Sequence, residues 1–185
     1  GIATEEDIQL AGSAHRRMGN NDITVLKCTS SYPAPVEEAN LCMIRDLAER
    51  FQVKSGLSDH TLGSVSPIVA VTQGASMIEK HFILNRSIGG PDCSFSMEEK
   101  DFAQMVKDVR MAELSLGKTT YELTEKMRGS RSASRSLYVA EDMKAGEVIT
   151  ERNVRSVRPG FGLHPKYLKD ILGKNVNRDL EKGTR

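Results

Sequence analysis

Along the first 118 residues the apolar positions alternate between two periods. In "TEEDIQLAGSAHRRMGNN", Ile8, Ala11, Ala14 and Met18 recur at helical spacing. Thr4 offers an N-cap, Glu5, Glu6 and Asp7 suit the positive helix end, and Gly19 supplies a stop. "DITVLKCTS" (22–30) is β-branched and apolar on both faces, the signature of a parallel strand covered by helices. "YPAP" (32–35) excludes either element. Residues 36–51 predict a second amphipathic helix through Ala39, Cys42 or Met43, Leu47 and Phe51. The pattern repeats with a strand at 53–59, a mostly apolar helix at 64–75 and a strand at 76–84. A polar loop, "NRSIGGPDCSFS" (85–96), precedes a long helix. Ser96 and Glu99 read as its capping box, Phe102, Met105, Val106, Val109 and Ala112 as its buried stripe, and Gly117 as its end. Strands alternating with helices imply right-handed crossovers and a parallel sheet, an α/β class.

The character changes near residue 118. "RGSRSASRS" (128–136) has no apolar periodicity and reads as a linker. Beyond it, short apolar pieces punctuated by "KAGE", "RPGFG" and "EKGT" predict a small, turn-rich, β-containing module. The expected division is therefore residues 1–120, a linker at 121–135 and a second domain at 136–185. Lys and Arg number 26 against 25 Asp and Glu, a net charge of +1 that gives no general reason to expect nucleic acid or membrane as partners. The linker arginines, Arg128, Arg131 and Arg135, lack interleaved aromatics and read as a solvated tether. Three cysteines without a CxxC pair argue against a disulfide framework and suggest a reducing cytoplasm. No apolar run approaches the roughly 18–20 residues of a membrane helix.

Candidate chemistry gathers where the strands end. Parallel α/β folds carry functional groups at the carboxyl ends of strands, where loops rather than packing choose the residues. The first end offers Thr29, Ser30, Ser31 and Tyr32, the second Ser58, Asp59 and His60, the third Glu79, Lys80 and His81. His60 and His81 thus hold equivalent positions one βα unit apart. Two imidazoles converging there, with Asp59, Glu79 and Asp92 near, make a divalent-metal site one reading; hydrogen-bonded strand-end histidines are the other. The hydroxyls could hold a phosphate or simply cap the strands. Cys28 lies inside the apolar strand and reads as a buried thiol.

Five ordered motifs, "LKCTSSYPAP", "GLSDHTLG", "IEKHF", "GGPDCSFS" and "LYVAEDMKAGEVITERNVRSVRPGFGL", closely resemble the sialic acid synthase family. The resemblance covers nearly the whole chain. It implies the C-terminal part of a (β/α)8 TIM barrel followed by a small antifreeze-like SAF domain of β-clip type. It also implies an enzyme that condenses phosphoenolpyruvate with an amino sugar and water, assisted by a divalent metal (manganese, magnesium or cobalt), and releases phosphate. Carried over by position, His60 and His81 match the metal-binding histidines and Ser58 a phosphoenolpyruvate-binding serine. Ser30 stands where sialate synthases carry an asparagine. Tyr32 and Asp92 match positions near the sugar. Arg158 matches an arginine that reaches into a second subunit's site, which implies a domain-swapped homodimer.

"GGPDCSFS", where sialate and legionaminate synthases show "PGPDHxAS", and "CTSSYP", where they show "CTTEYP" or similar, favour members that take a 2,4-diacetamido-trideoxy-altrose. A sialate- or legionaminate-type substrate is the alternative, and a carbohydrate-binding or dimerisation module the alternative outside catalysis. A barrel takes about 250 residues, and the elements before residue 118 amount to three strands and four helices, the last helix of unit five and units six to eight. With Gly1 standing directly before a helix start, the chain is expected to be a fragment. Alone it would be inactive, or would cover its open edge with another copy. The general base and the phosphate-binding lysines are expected in the other half.

Overall fold

The strand–helix alternation is built around β2 (Lys54–Asp59), the middle of three parallel strands. β1 (Thr24–Cys28) lies on one side with Cys28 opposite Ser58, and β3 (Ile78–Lys80) on the other with Ser58 opposite Glu79. Ser55 to Asp59 are all buried, as a strand covered on both faces requires. Alternation sends Leu57 to the helix side, where it packs with Ile44 of α2 (Met43–Phe51) and Ala70 of α3 (Val65–Thr72). Gly56 faces the other way and is fixed by space, because a Cβ there would come within 2.4 Å of the Met77 carbonyl oxygen. The computed structural model describes all 185 residues, which form two units, Gly1–Lys118 and Thr119–Arg185.

α1 (Glu5–Arg17) begins where predicted. Thr4 accepts from the Asp7 amide while the Asp7 carboxylate accepts from Thr4, a reciprocal box, and Gly19 at φ +81° follows the end. The expected apolar stripe does not form a core, however. No α1 residue is buried, and a cavity of about 500 Å³ lies between this helix and β1, lined by Ile8, Ala11, Ile23, Val25, Phe51 and Val53. The outer edge of β1 pairs with no strand.

Further expectations differ from the structure. The helix predicted over 36–51 is a 3-10 turn at Val36–Glu38 followed by α2, because Asn40 at φ 45° breaks the ladder between them. Ile44 rather than Met43 enters the core, with Met43 left 42% exposed. The capping box at Ser96 and Glu99 does not form. Helix α4 (Glu99–Leu116) starts after Glu98, whose carboxylate instead accepts from the Arg86 amide, while the Ser96 hydroxyl donates to the Asp92 carbonyl. Of its predicted stripe only Met105 is buried; Val106 is 42% exposed. The predicted linker at 121–135 contains a helix, α5 (Glu125–Arg131), started by the Thr124 hydroxyl accepting from the Met127 amide.

The second unit has its own core. β4 (Ser136–Val139) pairs antiparallel with β5 (Val154–Val157). Leu137, Val139, Met143, Val154 and Val176 pack together, joined by Leu168 and Ile171 of α6 (Leu168–Ile171). Buried Asn153 completes two backbone partners, accepting from the Thr150 amide and donating to the Val148 carbonyl. Ser136 does the same for the "RPGFG" turn, donating to the Pro159 carbonyl and accepting from the Gly162 amide.

Candidate active site

Register and the two-residue period of a strand decide which side chains meet. Cys28, Ser58 and Glu79 are aligned across β1, β2 and β3, on the face opposite Leu57. His60 and His81 come two residues after Ser58 and Glu79, so they continue the same face past the strand ends. Their ring centroids lie 5.2 Å apart at 79°. The structure therefore brings the two predicted histidines together.

Each imidazole is oriented through Nδ1. His60 Nδ1 is 2.8 Å from the Thr29 carbonyl oxygen. A carbonyl can only accept, so Nδ1 carries the proton and Nε2 presents its lone pair. His81 Nδ1 stands 3.4 Å from the Asp92 carboxylate. Backbone bonds hold both residues from opposite directions: the Ala34 amide donates to the His60 carbonyl, and the Met97 amide to that of His81. Two imidazoles side by side at adjacent strand ends, each with Nδ1 beside an oxygen, fit the donor chemistry of a divalent-metal site. No third His, Cys, Asp or Glu joins them in a cluster able to hold a metal.

Aromatic rings surround the pair. Tyr32 stacks on His60 with centroids 4.2 Å apart, and buried Phe95 lies 5.1 Å from His81. Tyr32 itself remains 55% exposed. The Ser58 hydroxyl donates to Glu79 Oε1 at 2.8 Å. Ser30 is exposed on the loop beside Thr29. Arg158 is exposed immediately after β5 in the second unit.

Asp59 departs from expectation. It does not face the imidazoles but turns to the helix side, where Lys80 Nζ meets its carboxylate and both side chains are almost fully buried. Period-two alternation in "SDH" carries the signal: Ser58 and His60 share one face, and Asp59 takes the other. Cys28 is half-buried rather than buried, with its Sγ 3.9 Å from His60 Nδ1. Phe95, which reasoning from the sequence missed, sits in a polar loop whose spacing marks no buried position. Burial holds the Lys27 ammonium below its ordinary value, with the Cys28 thiol opposing that shift.

Residues 1–121 match the NeuB family, and residues 134–184 match the SAF domain. The chain belongs to the NeuB family. Its barrel-type βα units and SAF domain are the expected pair of modules. The chain is 48% identical over 185 residues to a pseudaminic acid synthase of Helicobacter pylori, covering 100% of this chain and 54% of the relative. It is 46% identical over 183 residues to one of Campylobacter jejuni, covering 99% and 53%. This member of the NeuB family thus spans about half the length of the curated relatives it matches. Among solved structures it resembles the spore coat polysaccharide biosynthesis protein SpsE of Bacillus subtilis at TM-score 0.60 and 31% identity, covering 98% of this chain and 56% of that one. An N-acetylneuraminic acid synthetase of Leptospira borgpetersenii, solved with citrate, matches at TM-score 0.64 and 32% identity over 70% of this chain and 45% of its own.

Proposed function

We propose that the protein carrying this chain is a pseudaminic acid synthase, condensing phosphoenolpyruvate with 2,4-diacetamido-2,4,6-trideoxy-altrose and water to give pseudaminic acid and phosphate. The observation that carries the reading is the pair His60 and His81, side by side at adjacent strand ends with Nδ1 of each engaged. The substrate choice draws support from identity: 48% and 46% to pseudaminic acid synthases, against 36% to an N,N'-diacetyllegionaminic acid synthase of Legionella pneumophila.

His60 and His81 would hold the divalent cation (manganese, magnesium or cobalt). Bound there, the cation supplies Lewis-acid polarisation of the sugar aldehyde. The Ser58 hydroxyl, whose single proton goes to Glu79, rotates to a phosphoenolpyruvate oxygen, and Ser30 lines the same mouth. Tyr32 and Asp92 orient the sugar, with the Tyr32 and Phe95 rings packed beside the two histidines. The enol carbon bonds to the aldehyde carbon, water adds at C2, and phosphate leaves with C–O cleavage. Arg158 reaches the N-acetyl group in a second copy, making the working enzyme a domain-swapped homodimer. No helix is long and apolar enough to cross a membrane, and a phosphoenolpyruvate substrate supports a cytoplasmic reaction.

The test is phosphate release by the whole protein with phosphoenolpyruvate and Mn²⁺, offering the altro-configured sugar and N-acetylmannosamine in parallel. Turnover with the first alone is expected, and it should be lost in His60→Ala. Turnover with the second alone would overturn the substrate assignment.

A further inference from the structure

We propose that the buried Asp59–Lys80 pair is a positioning device that sets the spacing of His60 and His81, and thereby the affinity of the site for a divalent cation. The proposal rests on the metal-site reading above. Lys80 Nζ lies 2.5 Å from Asp59 Oδ2 and 2.5 Å from the Thr61 carbonyl oxygen, with the Lys80 and Asp59 side chains only 2% and 1% exposed. Asp59 and Thr61 are the two chain neighbours of His60, and Lys80 is the neighbour of His81. One ammonium therefore ties both flanks of the first imidazole to the residue that precedes the second.

Nothing else in the sheet does this. The β2–β3 ladder ends at the Asp59–Lys80 pair. Beyond it the two histidines bond different segments rather than each other, the His60 carbonyl accepting from the Ala34 amide and the His81 carbonyl from the Met97 amide. Lys80 extends the strand-to-strand link by two residues, to the level of the imidazoles. Asp59 Oδ1 accepts from the Thr61 amide at 2.9 Å and the Thr61 hydroxyl at 2.8 Å, and Ser66 at the start of α3 bonds that hydroxyl at 2.9 Å. The cluster is thus anchored to a helix as well as to two strands. A buried ion pair is a poor way to gain stability, because apolar residues of similar volume commonly serve the fold as well or better. Its value here lies in fixing one arrangement.

The experiment is Mn²⁺ titration of the whole protein, read by electron paramagnetic resonance, in wild type, Asp59→Leu/Lys80→Met and Asp59→Asn/Lys80→Gln. Both variants leave no uncompensated buried charge, and circular dichroism reports their folding. Loss of the positioning contact should weaken Mn²⁺ binding about 10–100-fold in the apolar pair, with a smaller loss in the hydrogen-bonding pair. KM for phosphoenolpyruvate at saturating Mn²⁺ should stay near the wild-type value, which general disruption would not allow. Should the apolar pair fail to fold, the Asn/Gln pair decides, and wild-type affinity in whichever pair folds overturns the proposal. His60→Ala separates the two levels of inference. If it loses Mn²⁺ while a folded pair does not, only the positioning role fails. If it binds Mn²⁺ like wild type, the metal site itself falls and the proposal with it.

Discussion

Gly56→Ala adds one methyl group to the middle strand, and the structure states what it meets. The new Cβ would stand 2.4 Å from the Met77 carbonyl oxygen and 2.7 Å from Leu26 Cδ2. The leucine tip can rotate away, but the carbonyl belongs to backbone. That contact must open by at least 0.6 Å, the difference between 2.4 Å and the 3.0 Å below which real Cβ contacts essentially never fall. The same carbonyl accepts from the Leu57 amide at 2.9 Å, and a comparable displacement takes this bond past the ordinary limit of about 3.2 Å. Overpacking costs about 1–3 kcal/mol and a weakened buried bond about 1–3 more, offset by up to about 1 kcal/mol from the stiffer unfolded chain. With each contribution near the middle of its range the net loss is about 3 kcal/mol, within a span of about 2–4 kcal/mol. Hydrogen exchange of the peptide spanning residues 54–59 reads it directly, since each 1.4 kcal/mol is about tenfold in exchange rate where exchange follows opening. Acceleration of about 30–700-fold is expected. Protection equal to wild type would refute the claim that glycine is required here by space.

Ser136→Ala removes both bonds that hold the "RPGFG" turn, at a cost of about 1–3 kcal/mol to the second unit by thermal unfolding. With Arg158 at the start of that turn, KM for the sugar should rise more than KM for phosphoenolpyruvate; equal changes would separate Arg158 from sugar binding. Lys27 gives a pH-dependent outcome. Burial lowers its folded-state pKa, so between that value and its ordinary value of about 10.4 the unfolded chain binds more protons, and stability rises with pH through that window. Lys27→Met should flatten this rise in urea midpoints measured from neutral pH to pH 10, and an unchanged slope would assign it elsewhere.

The βα alternation was legible because strands covered on both faces are built from apolar or small residues, and "TVLKC" and the Gly56–Leu57 centre of "SGLSD" stand between amphipathic runs. His60 and His81 were legible for a related reason: polar residues directly after a buried strand must lie at its carboxyl end. What the sequence concealed depends on tertiary choice. Asn40 adopts positive φ and splits a helix whose apolar spacing continues through it. Glu98 bonds Arg86, twelve residues away, and Ser96 bonds Asp92, so neither caps α4. Phe95 is buried against His81 by ring packing that leaves no periodic trace in a polar loop. The apolar stripe of α1 was correctly read as apolar, yet it borders a cavity rather than a core.

Tyr32 has a practical consequence. The chain contains four tyrosines and no tryptophan, so tyrosine emission is not drained into an indole acceptor. Tyr32 is the one tyrosine ring that packs against imidazoles, with centroids 4.2 Å from His60 and, edge-on, 5.9 Å from His81. The chain therefore carries its own optical reporter at the strand mouth. Emission lost in Tyr32→Phe isolates that reporter from the other three rings, and occupancy of the histidine pair can be followed in solution without attaching a dye.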